Sequence, residues 1–229
     1  MARQLSCVLA CVLVGSWGAS CAIAADGKRL NADNLMEFHG EGGVVEPVRT
    51  AADWARRRSE IVLGMQAVMG PFPGDDRRGP VEMKVLEDVD AGSFRRRLVG
   101  YRVDQDMLTP AYLCIPKDVL SGKRKAAAVL CLHPTDNRVG HKVALGLGGR
   151  AGRGYGKELA ERGYVTLSPA YPHLANYWPN LGGQGYVSGT MKAIWDNSRG
   201  LDLLASLEFV DSSRGFGAIG HSLGGHNAI

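Results

Sequence analysis

The residues best suited to do chemistry in this 229-residue chain form one short run, Gly220-His221-Ser222-Leu223-Gly224. The pattern Gly-x-Ser-x-Gly is typical of a turn that joins a strand to a helix and lifts the serine hydroxyl clear of the sheet. Its surroundings agree, because residues 215–220 read as a short buried strand and residues 224–229 as the start of a closely packed helix. The pattern therefore predicts Ser222 as a nucleophile.

A serine that attacks a carbonyl group needs two backbone N–H groups to hold the negative charge that develops on the oxygen. Leu223, directly after the serine, supplies one of them. We expect the second from the turn that follows the apolar stretch 126–132, where Pro134 has no N–H and Thr135 is the nearest donor. His133 would position this turn. An ordinary turn is the alternative interpretation, since proline and aspartate favour turns.

An unassisted serine hydroxyl is a poor nucleophile and needs an imidazole to take its proton. In this type of site the acid and the base follow the serine in chain order. We therefore expect both of them beyond Ile229, outside this sequence. His221 and His226 are close to Ser222 in sequence, but the local backbone directs one away and places the other on the helix, so packing roles are expected for them.

Aromatic residues follow the predicted strand that ends near Pro169. Open α/β sheets bind ligands at the carboxyl edge, where aromatic side chains could stack on a sugar ring or an aromatic acid. A packed loop is an equally good interpretation of the same residues. The candidate pocket residues are Tyr171, His173, Tyr177 and Trp178.

The order of apolar segments predicts an α/β fold with a doubly wound, mostly parallel sheet and antiparallel N-terminal strands. Segments separated by aspartate and glycine predict consecutive strands, and a uniformly apolar segment predicts a strand covered on both faces. Strands and helices then alternate, which indicates parallel pairing. The predicted strands are 81–89, 94–103, 108–115, 126–132, 164–168 and 215–220, and the predicted helices are 51–69, 155–162 and 190–207. In the last helix the predicted buried stripe is Ile194, Leu201, Leu204 and Ala205.

The first 24 residues are typical of a secretory signal peptide, with Arg3 before a short apolar stretch and cleavage expected after Ala24. We therefore expect a secreted or periplasmic protein. The apolar stretch is shorter than the roughly 20 residues that a retained membrane anchor needs. Residues 25–50 are polar and are expected to form a mobile lead-in, and residues 51–229 an incomplete α/β domain.

Composition limits the possible partners. Of five cysteines, only Cys114 and Cys131 lie after the predicted leader, and their apolar surroundings indicate core residues, with a disulfide between them as the alternative in an oxidising compartment. The formal charge of +4 arises from arginine clusters interspersed with acidic residues. Such clusters indicate solvated surfaces, so we expect no nucleic-acid partner.

The glycine-rich segment 146–157 does not match a phosphate-binding loop. The glycine required five positions before Gly156 is Ala151, and Glu158 replaces the hydroxyl residue that should follow Lys157. We expect a flexible loop here and no cofactor. No cluster of ligand side chains in the sequence indicates a metal site.

Several motifs resemble the α/β-hydrolase superfamily, specifically its secreted bacterial dienelactone-hydrolase-like and acetyl-xylan-esterase-like members. The segments that carry the resemblance are 131–135, 158–165, 189–197 and 220–225, and it extends over nearly half the chain. It implies hydrolysis of a carboxylic ester through an acyl-serine intermediate, with a small-molecule or carbohydrate ester as substrate. Relatives often carry an aspartate where this chain has Ala170, so a contact made by that carboxylate is not expected here.

Two alternatives remain open at this point. A peptidase similar to prolyl oligopeptidases would use the same fold, although the expected upstream propeller domain is missing from this sequence. A non-catalytic binding protein or pseudo-enzyme fragment is the other alternative, because the acid and the base are not found before Ile229.

Overall fold

The computed structural model describes residues 30–104 and 107–229. The predicted signal peptide and its cleavage position after Ala24 lie outside the described residues. The chain divides into two compact units, residues 1–61 and 62–229, and each is described by itself.

The first unit contains a short hairpin within the segment predicted as a lead-in. Strands β1 (Glu37–His39) and β2 (Val45–Pro47) pair in antiparallel fashion. The carboxylate of Glu60 accepts a hydrogen bond from the backbone N–H of His39 at 2.8 Å. This bond attaches the hairpin to the helix that follows it.

That helix, α1 (Ala51–Met69), has the bounds predicted from the sequence. A reciprocal cap fixes its first turn. The Thr50 hydroxyl accepts from the N–H of Asp53 at 3.2 Å, and the Asp53 carboxylate accepts from the N–H of Thr50 at 2.9 Å. These hydrogen bonds explain why the helix begins at Ala51.

The second unit is built on a six-stranded sheet in the order β3-β4-β5-β7-β6-β8. Its strands are β3 (Met83–Asp90), β4 (Phe94–Asp104), β5 (Met107–Pro116), β6 (Ala128–Leu132), β7 (Val165–Pro169) and β8 (Gly217–Gly220). Its helices are α2 (Lys117–Leu120), α3 (Tyr155–Glu161), α4 (Gly189–Ser206) and α5 (Leu223–Ala228). Within the described ranges, no helix has the length and apolar character needed to cross a membrane.

Strand pairing changes from antiparallel to parallel in the middle of the sheet. Strands β3, β4 and β5 pair antiparallel, and β5 is also antiparallel to β7, with Leu113 opposite Leu167. Strand β6 is parallel to both of its neighbours, with Leu130 opposite Leu167 and Ala218. The carboxyl ends of β6, β7 and β8 consequently meet at one edge of the sheet.

Apolar side chains cover both faces of this sheet. Successive residues of β5 point to opposite faces, so Leu113 packs in the cluster that contains Trp195 of α4, whereas Tyr112 and Cys114 pack in the cluster that contains Ala160 of α3. The predicted α/β class with antiparallel N-terminal strands is confirmed. The predicted strand and helix ends lie within two residues of the observed ones.

The buried face of α4 differs from the prediction. Ala205 is exposed, so its assignment to the buried stripe is wrong, whereas Ile194 and Leu201 are half-buried and Leu204 is buried. The indole N–H of Trp195 donates to the carbonyl of Val103 at 2.9 Å, and Trp195 and Leu203 are almost completely buried. These contacts fix the rotation of the helix about its axis, and polar residues share its buried side.

The two cysteines predicted as core residues are buried. Cys114 and Cys131 are both free thiols with no exposed surface. Burial raises the pKa of Cys114 to about 12, so this thiol stays protonated at neutral pH. Their role is to fill space in the core.

Candidate active site

Ser222 lies at a sharp turn between β8 and α5. Its backbone dihedrals are φ 55° and ψ −119°, and it is one of three non-glycine residues with positive φ in the described ranges. Such a conformation is unfavourable for a residue with a Cβ and persists only where the surrounding structure enforces it. Ser222 is exposed, so its hydroxyl is accessible at the carboxyl edge of the sheet.

Two glycines of the motif are required by close packing. A Cβ on Gly220 would overlap the carbonyl group of Gly224, and a Cβ on Gly224 would overlap the carbonyl group of Leu132. Gly225 has more space, because its nearest neighbour, the carbonyl oxygen of Gly220, would lie 3.7 Å from an added Cβ. The turn therefore holds the start of α5 directly against the end of β6.

The two N–H groups predicted to bind an oxyanion lie on adjacent segments. Leu223 begins α5, where the first N–H groups have no acceptor within the helix. Thr135 is exposed in the loop after β6. An added Cβ on Gly224 would lie 2.9 Å from the carbonyl oxygen of His133 in that loop. Within the described part of the chain, no acceptor binds the N–H of Leu223 or of Thr135.

His133, predicted to position the loop, is fully buried. Its Nδ1–H donates to the carbonyl of Pro134 at 2.8 Å, and its ring stacks on Tyr171 with 4.2 Å between ring centroids. Burial lowers the pKa of His133 to about 4, so the ring is neutral at neutral pH. The imidazole thus connects the loop after β6 to the loop after β7.

Tyr155 was not identified from the sequence, although it contacts both halves of the turn. Its hydroxyl donates to the carbonyl of Leu132. Burial raises the pKa of Tyr155 to about 12, and the backbone of His221, which lies beside the hydroxyl, partly opposes that rise. Tyr155 therefore ties the end of β6 to the residue before the serine.

His141 was also missed, because a histidine next to Lys142 in a polar stretch reads as a surface residue. Its ring is 1% exposed and lies 5.0 Å from the Tyr112 ring and 6.4 Å from the His133 ring, measured between centroids. Burial lowers its pKa to about 3. No hydrogen-bond partner for either ring nitrogen is present among the described residues.

A cavity of about 260 Å³ opens beside the serine turn. Leu223 and Asn227 of α5 form one side, and Tyr171 and His173 of the loop after β7 form another. The first turns of α4 complete the wall through residues that include Thr190. None of the lining residues is an aspartate, glutamate, lysine or arginine, so the cavity suits an uncharged group.

Polar atoms in this region have hydrogen-bonding capacity to spare. The Tyr171 hydroxyl lies beside the amides of Asn197 and Asn227 but forms no hydrogen bond with them. Burial raises the pKa of Tyr171, and both amides partly oppose that rise. The Asn227 side chain donates through Nδ2 to the carbonyl of Leu223 at 2.9 Å, while its buried Oδ1 is unpartnered in the described structure. A hydroxyl and an amide oxygen of cavity-lining residues are thus buried without a hydrogen-bond partner among the described residues.

Trp178 and Tyr177, both candidate pocket residues, point in opposite directions. Trp178 is 69% exposed, and its ring stacks on His173 with 5.2 Å between centroids. Tyr177 is buried instead, with its hydroxyl 3.0 Å from both the Asp196 carboxylate and the Thr109 hydroxyl. Tyr177 anchors the loop from below and does not line the cavity.

The anchor of Tyr177 is a buried charged network that sequence reasoning did not find. Lys192 and Asp196, one turn apart on α4, form an ion pair with no exposed surface. The Asp104 carboxylate lies 3.5 Å from the Lys192 ammonium and accepts from the Tyr186 hydroxyl at 3.0 Å. Burial raises the pKa of Asp196 to about 6, although Lys192 opposes that rise. The network joins α4, β4 and the loop that borders the cavity.

A larger cavity, of about 720 Å³, lies at the amino ends of the parallel strands, away from Ser222. Over half of its lining residues are charged, and they include the ion pair between Arg124 and Asp118, at 2.6 Å. Across residues 30–104 and 107–229, no group of three or more histidine, cysteine, aspartate or glutamate side chains could hold a metal ion.

Solved structures share this arrangement of strands and helices. A glucuronoyl esterase from Solibacter usitatus superposes with a TM-score of 0.61 at 18% identity, over 89% of this chain and 60% of that one. A proposed acetyl xylan esterase from Bacteroides fragilis superposes with a TM-score of 0.58 at 14% identity, over 77% of this chain and 49% of that one. The chain has the α/β-hydrolase fold.

A promiscuous esterase from a marine bacterial metagenome has the same α/β-hydrolase fold, with a TM-score of 0.54 at 16% identity over 89% of this chain. Models of known protein families do not match the sequence, and neither do curated protein sequences. The chain spans about half to three fifths of the length of the first solved structures it matches. In the α/β-hydrolase fold, Ser222 and its cavity lie at the carboxyl edge, where such sheets bind ligands.

Proposed function

We propose that the protein is a serine hydrolase that cleaves carboxylic esters, with Ser222 as the nucleophile. The observation that carries this proposal is the strained backbone of Ser222, φ 55° and ψ −119°, in an exposed turn between strand and helix. A protein retains backbone strain of about 1–3 kcal/mol most often at a functional site. The free N–H groups of Leu223 and Thr135 next to this turn support acyl chemistry.

In this mechanism the Ser222 Oγ attacks the ester carbonyl carbon and its proton passes to a general base. The N–H of Leu223, together with that of Thr135, would stabilise the oxyanion of the tetrahedral intermediate. Collapse of the intermediate breaks the bond to the alcohol, which leaves with the proton, and forms the acyl-serine. Water then attacks the acyl-serine, so that the carboxylic acid and free Ser222 are produced.

We expect the general base and its partner carboxylate after Ile229 in the whole protein, because the acid and then the histidine follow the serine in this motif. The buried His133 is not proposed as the base, because its ring has no exposed surface and is stacked on Tyr171. We assign it the role of holding the loop that bears Thr135.

We propose a carbohydrate ester as the substrate class. This proposal draws on the activities for which two structural neighbours are named, a glucuronoyl esterase and a proposed acetyl xylan esterase. It also draws on the uncharged cavity, whose volume of about 260 Å³ exceeds what an acetyl group needs.

Hydrolysis of p-nitrophenyl acetate by the whole protein tests the proposal. The Ser222→Ala variant is expected to lower kcat by at least about a thousandfold, as loss of a nucleophile does elsewhere. Ser212→Ala is the matched control, because Ser212 is also exposed and lies outside the turn. Equal rates for the wild type and Ser222→Ala would remove the assignment. Cleavage of peptide substrates in preference to esters would favour the peptidase alternative.

A further inference from the structure

The loop after β7 presents one aromatic ring to solvent in a fixed orientation. The indole N–H of Trp178 donates to the carbonyl of Ala175 at 2.8 Å. One face of the indole stacks on His173, with 15° between the ring planes. Because Trp178 is nevertheless 69% exposed, its other face is open to solvent.

The backbone of this loop is strained and firmly held. His173 and Ala175 both have positive φ, 62° and 51°, which costs about 1–3 kcal/mol at each residue and is typical of ligand clamps. The N–H of His173 donates to the carbonyl of Tyr177 at 2.7 Å, and the Tyr177 hydroxyl is fixed in the buried network beneath. The ring of Trp178 is therefore preorganised, so that a ligand binding to it need not order the loop.

The ring is also connected to the cavity beside Ser222 through the residue on which it stacks. His173, on which Trp178 stacks, is a lining residue of that cavity, together with Asn227 and Tyr171. The exposed indole offers a flat apolar face, and the neighbouring cavity has no charged lining residue. Together they match a ring that is apolar on its face and polar but uncharged at its edge. A neutral sugar has this chemistry, whereas an anionic sugar would find no lysine or arginine in the cavity lining.

We infer that the outer face of Trp178 is a saccharide-binding subsite that receives a neutral sugar ring of the ester substrate. The inference rests on the proposed function for its role in catalysis, but binding to the subsite does not require turnover. The sugar ring would stack on the indole, and the ester bond would reach the Ser222 hydroxyl through the neighbouring cavity.

Binding of xylotetraose to the whole protein, in the Ser222→Ala background, tests the subsite by calorimetry. Adding Trp178→Ala is expected to raise the Kd about tenfold, which corresponds to about 1.4 kcal/mol, and Trp178→Phe should recover part of the affinity because a ring is retained. Tyr164→Ala is the control, since Tyr164 is an exposed aromatic residue, 40% exposed, at the other end of β7. Unchanged affinity in Trp178→Ala would overturn the inference, as would trigalacturonate binding as tightly as xylotetraose.

A kinetic measurement keeps this inference separate from the proposed function. With Ser222 present, the ratio of kcat/KM for acetylated xylotetraose to kcat/KM for p-nitrophenyl acetate should fall about tenfold in Trp178→Ala, and a constant ratio would contradict the subsite. If the wild type cleaves neither ester, the proposed function fails, while the calorimetric result still decides the subsite. Circular dichroism of each variant checks that its fold is retained.

Discussion

The strain at Ser222 can be measured by comparing two substitutions that both remove the hydroxyl. Alanine keeps the Cβ that makes φ 55°, ψ −119° unfavourable, whereas glycine adopts positive φ readily. Relief of the strain is worth about 1–3 kcal/mol, and the extra freedom of glycine in the unfolded chain subtracts about 0.4–1 kcal/mol. Ser222→Gly should therefore be about 0.5–2 kcal/mol more stable than Ser222→Ala.

The assay is urea unfolding of the whole protein, with the free energy of unfolding obtained for each variant. Ser212 provides the matched pair of substitutions, because it is exposed and has no positive φ. At that position glycine should be less stable than alanine, by about 0.4–1 kcal/mol. If glycine were also the less stable residue at position 222, the turn would not be strained and the structural basis for the nucleophile would be lost.

Three further predictions concern the residues that support the site, all measured on the whole protein by urea unfolding and ester hydrolysis. Gly224→Ala should lower the free energy of unfolding by about 1–3 kcal/mol and abolish most of the ester hydrolysis, because the new methyl group overlaps a carbonyl of β6. Gly225→Ala should cost little, and equal effects of the two changes would contradict the close packing of the turn. Lys192→Met should cost about 3 kcal/mol or more, because it leaves a buried carboxylate unpaired. Lys157→Met, which breaks an exposed pair with the same spacing, should cost less than about 0.5 kcal/mol, and similar costs would argue against burial of the first pair. The pKa of His141 is about 3 in the folded protein and about 6.5 in the unfolded chain. The folded state therefore loses stability as the pH falls below about 6.5, because the unfolded chain then binds a proton at His141 and the folded protein does not. At pH 5 this loss is about 2 kcal/mol. Between pH 7.5 and 5 the free energy of unfolding should therefore fall by about 2 kcal/mol less in His141→Phe than in the wild type. Parallel pH profiles of the two proteins would refute the burial of a neutral imidazole.

The sheet and the serine turn could be predicted from local patterns. Apolar segments bounded by aspartate and glycine gave strand ends within two residues of the observed ones. The spacing Gly220-x-Ser222-x-Gly224 indicated a strand, a turn and a helix, and the structure adds the reason: both glycines lie against carbonyl groups. These features were predictable because each depends on residues that are neighbours in sequence.

The buried polar residues could not be predicted in the same way. Lys192 and Asp196 look like an exposed pair on a helix surface, because charged side chains are seldom buried. Their burial depends on Asp104 in β4 and Tyr177 in a loop, which come from distant parts of the chain. The apolar stripe of α4 was partly misassigned for this reason, since its buried side includes charged residues.

The pocket shows the same limit at shorter range. Tyr177 and Trp178 are adjacent and both aromatic, yet one is 6% exposed and the other 69%. The turn that precedes these two rings has positive φ at His173 and Ala175. Sequence reasoning expects glycine at such positions, and therefore gave no indication of which ring would be available to a substrate.

Labelling with a fluorophosphonate tests the central claim most directly, because the reagent forms a covalent bond only with an activated serine hydroxyl. On the whole protein, mass spectrometry of the digested product should find the phosphonyl adduct on Ser222, and prior loss of that hydroxyl in Ser222→Ala should abolish labelling. An adduct on a different serine, or a wild-type protein that hydrolyses esters without reacting at Ser222, would contradict the account.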